Sequence, residues 1–198
     1  MTNNKTKNQV SVTQWIAGVA IFTAIVVVLQ FFGKNIHFGV FSISLVLVPI
    51  VTGAILFGAG AGAWLGFSFG LAVLLSGDAA VFLAVNPIGT IATCILKGVF
   101  AGLAAWGVYT LMAKRNKTAA IFVAAIVAPV VNTGIFLVGC RLFFMSLLRE
   151  WSAGSNVTVY MLTSFVGINF LIELGVNIIL APIIVRLVDA GRKTFGRK

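Results

Sequence analysis

Three ionisable residues, Lys97, Arg141 and Glu173, stand inside long apolar stretches. An ionisable side chain at the centre of a membrane helix costs about 2.5–3.5 kcal/mol on insertion scales, so it marks a working site by default. Near them are Asn132 and Thr133, in PVVNTG, where Pro129 frees a backbone carbonyl and Gly134 allows a close approach. Asn169, Glu173 and Asn177 follow one another at i, i+4 and i+8, which on a helix is a single polar stripe. Thr90 and Thr93 precede Lys97 in the same run. Such groups either join helices, at about 0.6–2 kcal/mol per hydrogen bond, or hold a polar solute. Joining is the expectation for Asn177 and Thr133, and a solute pocket is the expectation for the set.

Other chemistry lacks its residues. Gly66-Phe67-Ser68-Phe69-Gly70 matches the nucleophile elbow G-x-S-x-G, but that motif needs a strand–turn–helix setting and a histidine partner. His37 is the only histidine; it falls in a loop, as an exposed residue or a gate contact to a ligand. With no paired carboxylates and no His/Cys/carboxylate cluster, neither hydrolysis nor a metal site is expected. Cys94 and Cys140 lie in apolar stretches, which indicates no disulfide scaffold. There is no G-x-x-x-x-G-K-[ST], so ATP binding by a P-loop is excluded.

The elements that position these residues follow from composition. Of 198 residues 60% are hydrophobic and 9% charged, with a mean hydropathy of +1.11 and a net charge of +10. Soluble domains carry about 25% charged residues, so most of this surface must face lipid. Apolar runs predict six membrane helices, at about 15–32, 41–57, 59–75, 88–113, 119–148 and 157–187, in one domain spanning 1–198. The polar leader of the first run is too polar for a signal-peptide core, and a retained helix is expected. Lys97 then lies roughly 14 Å below the outer end of the fourth helix and Glu173 roughly 24 Å below that of the sixth, which makes a direct pair marginal.

Cytoplasmic segments retain Lys and Arg. Lys5, Lys7, Lys114, Arg115, Lys117, Arg186, Arg192, Lys193, Arg197 and Lys198 fall on the side of the termini, against Lys34 and Arg149 opposite. Both termini are therefore expected in the cytoplasm. The positive charge is read as topology and contact with anionic lipid, and nucleic acid is not an expected partner. The outward loops are about 33–40, 76–87 and 149–156.

Gly58, Gly62, Gly66 and Gly70 recur every fourth residue along the third helix, and Ala20 and Ala24 repeat the spacing on the first. Small residues at this interval let helix backbones meet closely, within the chain or against another membrane protein. Ionisable residues within the expected spans are confined to helices 4 to 6. This suggests that one half of the bundle binds solute and the other docks a partner.

In these features the chain resembles the substrate-binding S components of energy-coupling factor (ECF) vitamin transporters. The likeness rests on length, six helices, cytoplasmic termini, Ala20-x-x-x-Ala24 and the absence of an ATPase motif. It implies a transmembrane coupling subunit facing the first three helices, two cytoplasmic ATPase subunits that use the ATP, and no cofactor in this chain. It also implies a vitamin-like solute among helices 4 to 6 under a cap at Gly33 to Val40, carried inward by toppling of the whole component. The candidate solute contacts are Asn132, Arg141, Lys97, Asn169, Glu173, Thr90 and His37; the candidate docking residues are Ala20, Ala24, Gly58, Gly62, Gly66 and Gly70. Two membrane cations against one anion favour a carboxylate-bearing solute held by Arg141 or Lys97, such as pantothenate, with folate and biotin also fitting. Thiamine is disfavoured because Glu173 stands alone, and riboflavin or a queuosine precursor is the alternative. A lipid-modifying membrane enzyme would need a nucleophile or metal constellation, and a channel would need polar faces on several helices around an axis.

Overall fold

The computed structural model describes residues 11–33, 37–38, 41–42, 45–165 and 167–194. Helix α1 (Val12–Gly33) leads to two short antiparallel strands, β1 (His37–Phe38) and β2 (Phe41–Ser42), then to α2 (Leu47–Phe57) and α3 (Ala59–Ser76). After α4 (Ala80–Val85) come α5 (Pro87–Met112), α6 (Lys117–Phe143), α7 (Met145–Trp151) and α8 (Val157–Tyr160). A π-helical turn (Met161–Phe165) and α9 (Gly167–Thr194) complete the bundle. Among the described residues five helices are long and apolar enough to cross a membrane: α1, α3, α5, α6 and α9.

The expected helix over 41–57 does not form as one piece. Phe41 and Ser42 pair with Phe38 and His37, and among the described residues of this stretch only the eleven of α2 are helical. At 1.5 Å per residue α2 rises about 16 Å, half the roughly 30 Å of a hydrocarbon core. It is buried along its whole length and packs against α1, α3, α5, α6 and α9, so its apolar residues fill the middle of the bundle. Trp15 on α1 donates its indole N–H to the carbonyl of Phe57 at 3.0 Å, satisfying one open carbonyl at the end of α2. Gly58 then turns the chain with φ +95°, a conformation that disfavours a side chain.

The glycine ridge of α3 packs inside the chain. A methyl group on Gly62 would meet the carbonyl of Gly102, one on Gly66 that of Gly98, and one on Gly70 that of Cys94. Each step of four along α3 meets a step of four back along α5, which is an antiparallel backbone-to-backbone seam. The expected partner face at Gly62, Gly66 and Gly70 is thus already filled by α5, while Gly58 sits in the α2–α3 turn.

Other boundaries have local causes. Asn86 caps α5 by accepting from the N–H of Gly89 at 2.9 Å, with Pro87 at the first helical position. Asn116 caps α6 in the same way through Ala119. The helix expected to reach 148 stops at Phe143, because Phe144 turns into the core with 1% exposure and packs edge-on against Phe82, centroids 4.9 Å apart. The sixth expected helix is interrupted by the π-turn and runs on to Thr194. Near its end Arg192 donates to the Tyr109 hydroxyl and lies over that ring, 5.5 Å from the centroid, tying α9 to α5.

Candidate functional site

A cavity of about 120 Å³ opens between α3, α5, α6 and α9. A single water needs about 10–15 Å³ of such space, so the cavity suits a small organic molecule. Thr90, Thr93, Cys94 and Lys97 line it from α5, and Asn132, Thr133 and Phe136 from α6. α9 contributes Asn169, Phe170 and Glu173, with Phe144 just past α6. The wall also includes Gln30 of α1, Phe69 and Val73 of α3, Asp78 and Ala79 of the loop before α4, and Phe82 of α4.

The polar lining is unusual in what it leaves open. Thr93 Oγ1, Asn132 Oδ1, Asn169 Oδ1 and Glu173 Oε1 are buried and have no hydrogen-bond partner among the described residues. Folded proteins satisfy all but a few buried polar atoms, because each one stranded costs about 1–3 kcal/mol. Four on the wall of one cavity therefore mark a place where a ligand or water supplies the missing donors. Asn177 Oδ1 is also unpaired, although its amide N–H donates to the Glu173 carbonyl at 2.9 Å, and it lies outside the lining. Thr90 differs from Thr93, since its hydroxyl donates to the carbonyl of Asn86 at 2.7 Å.

Lys97 makes no ion pair among the described residues. Its ammonium sits 5.3 Å from the ring centroids of both Phe69 and Phe136, within the range in which an aromatic face attracts a cation. The α3–α5 seam fixes one of these contacts, because Phe69 adjoins Gly70 and Lys97 adjoins Gly98. Asp78 is engaged differently. Gln30, 3% exposed, donates from Nε2 to Asp78 Oδ2 at 2.5 Å and to Ser76 Oγ at 3.4 Å, pinning the end of α1 to the rim. On another wall Phe82 packs edge-on against Phe136, Phe144 and Trp151.

The structure thus brings together Lys97, Thr90, Asn132, Asn169 and Glu173, and adds Thr133, which was expected only to join helices. It does not bring in Arg141, which is exposed in the last turn of α6 and absent from the lining. The His37 side chain and most of the expected cap at 33–40 lie outside the described residues. The charge inventory changes accordingly: among the described residues the lining carries one cation, Lys97, and two carboxylates, Asp78 and Glu173. Sequence reasoning missed Asp78, Gln30 and the phenylalanines. Gln30 was visible as the single amide of the apolar run 15–32 and Asp78 as the only acid of its loop, whereas nothing distinguishes five lining phenylalanines among seventeen. Gln30 of α1 and Phe69 and Val73 of α3 also line the cavity, so its wall is not confined to the half expected to bind solute. Ala20 and Ala24 are exposed on α1, apart from the cavity.

A family model described as "ECF transporter, substrate-specific component" matches residues 14–185. Compared with curated proteins and with solved structures, the chain has no match.

Proposed function

The chain belongs to the family of substrate-specific components of ECF transporters, and from that membership we propose that the cavity between α3, α5, α6 and α9 is where it holds its solute. It is a multi-pass membrane transport subunit and not an enzyme. The single observation that carries the site is the set of four unpartnered buried polar atoms on one cavity wall.

The solute we favour bears a carboxylate, with Lys97 as its counter-charge. Among the described residues Lys97 is the only cation of the lining and has no carboxylate partner, so an entering anion would not have to displace one. Pantothenate fits this pattern: its acid would face Lys97, and its amide N–H and two hydroxyls would supply donors to Asn132, Asn169 and Thr93. A second reading is a flat heterocycle such as riboflavin or a queuosine precursor, favoured by the phenylalanines and the two carboxylates around the cavity. Titration calorimetry of the detergent-purified chain with pantothenate, pantothenol and riboflavin tests the choice. Binding of pantothenate but not of the alcohol supports the carboxylate reading; binding of riboflavin alone overturns it.

The remaining expectations complete the reading. Both termini are cytoplasmic, and the segment 41–57 provides the sixth crossing by combining β2 with the short α2. The exposed Ala20 and Ala24 face a transmembrane coupling subunit, and two ATPase subunits supply the energy.

A further inference from the structure

We propose that Glu173 is a solute-contacting residue rather than a neutralising partner of Lys97, and that the two select an amphoteric solute, with an acidic or carbonyl pole at Lys97 and a hydrogen-donating pole at Glu173. The inference rests on reading the cavity as the solute site.

If Glu173 existed to neutralise Lys97, the two would be in contact, since a buried charge pair offsets its desolvation only at short range and with its remaining lone pairs satisfied. They are not. Both line the same cavity, yet no ion pair joins them, the Lys97 ammonium rests between two aromatic rings, and Glu173 Oε1 has no hydrogen-bond partner. The atoms left open beside Glu173 share one character. Asn132 Oδ1 and Asn169 Oδ1 are acceptors, a carboxylate oxygen is an acceptor, and the Thr93 hydroxyl can serve as one. Asn169 and Glu173 are one helical turn apart on α9, so their open oxygens can be met by one edge of a molecule. A solute edge carrying two or more N–H or O–H groups would satisfy this face, whereas one carrying only acceptors would leave the Asn132, Asn169 and Glu173 oxygens stranded, since of the four only the Thr93 hydroxyl can also donate. That asymmetry is the strongest form of specificity available to a buried site, because an analogue lacking the donors is rejected by about 10⁴-fold.

Two measurements on the full chain test it. The first needs no ligand: a double-mutant cycle with Lys97→Gln and Glu173→Gln, read as thermal unfolding of protein washed free of small molecules. Additive effects are expected; strong coupling between the two changes would mean that they neutralise each other and would overturn the proposal. The second is mass spectrometry, in H2O and in D2O, of small molecules released by denaturing wild type and Glu173→Gln. Wild type should release a compound with an acidic or carbonyl group and at least two further exchangeable hydrogens. Glu173→Gln should retain about 30-fold less of it or below, the lower factor for removing one partner of a desolvated charged contact. A released compound without such hydrogens, or one retained equally by Glu173→Gln, overturns the inference and leaves the cavity as the solute site; release of nothing from wild type overturns both.

Discussion

Placing a methyl group at Gly66 should separate the two helices that form the cation-binding wall of the cavity. The added carbon would fall on the carbonyl of Gly98; even the mildest member of the seam, Gly62, would bring its methyl to 2.8 Å from the Gly102 carbonyl. Heavy atoms rest at about 3.5 Å or more, so relief requires a retreat of roughly 0.7 Å at Gly62 and more at Gly66. Because the obstacle is backbone, no side-chain rotation relieves it. A gap of about 0.5–1 Å already forfeits a quarter to a half of the dispersion energy across it, and overpacking of this kind costs about 1–3 kcal/mol. Gly107 on α5 is the matched control, since a methyl there meets nothing within 4 Å. Removing a helical glycine at an open position is worth about 0.5–1 kcal/mol in the opposite direction. Thermal unfolding in detergent should therefore show opposite signs, with Gly66→Ala destabilised and Gly107→Ala unchanged or stabilised. Gly66→Ala should also weaken solute binding, because Phe69 moves away from Lys97. If Gly66→Ala is as stable as Gly107→Ala, the two backbones are not in contact and the seam is wrong.

Lys97→Gln should weaken retention of an anionic solute by about 30-fold or more, while Arg141→Gln, outside the cavity, leaves it unchanged; equilibrium binding of labelled pantothenate distinguishes them. Ala24→Trp, on the exposed face of α1, should abolish transport by the assembled complex and spare solute affinity, as measured by uptake into proteoliposomes alongside calorimetry. Phe82→Ala removes the aromatic that joins Phe136, Phe144 and Trp151, and truncations of buried aromatics cost about 3–5 kcal/mol. Its midpoint of thermal unfolding should fall clearly below wild type; an unchanged midpoint would mean that α4 does not hold this wall.

Much of the architecture was legible because membrane helices announce themselves by length and apolarity, and because ionisable residues within them are rare. Lys97, Asn132, Asn169 and Glu173 could be singled out on that ground, and Asn86–Pro87 marked the start of α5 by its capping chemistry. What failed depended on tertiary contact. Hydropathy does not separate a short strand from a helix, so β2 and α2 were merged into one span. No glycine or proline marks the end of α6; Phe144 breaks it by turning toward Phe82. The ridge Gly58 to Gly70 was readable as a groove, but its occupant was not. Gly98-x-x-x-Gly102 on α5 was the complementary signal, spaced for the antiparallel seam. Arg141 was ranked with Lys97 because both are cations in apolar runs, whereas its position in the final turn of α6 leaves it at the surface.

The central claim is that this chain holds a small solute in the cavity lined by Lys97, Asn132, Asn169 and Glu173. Its most direct test is mass spectrometry of the small molecules released when the detergent-purified chain is denatured, compared with the double variant Lys97→Gln/Asn132→Leu purified in parallel. The expected result is one compound in near-stoichiometric amount from the wild type and its loss from the variant, with the folded state of both verified by their thermal transitions. An extract from folded wild type that contains no compound absent from the variant would contradict the claim.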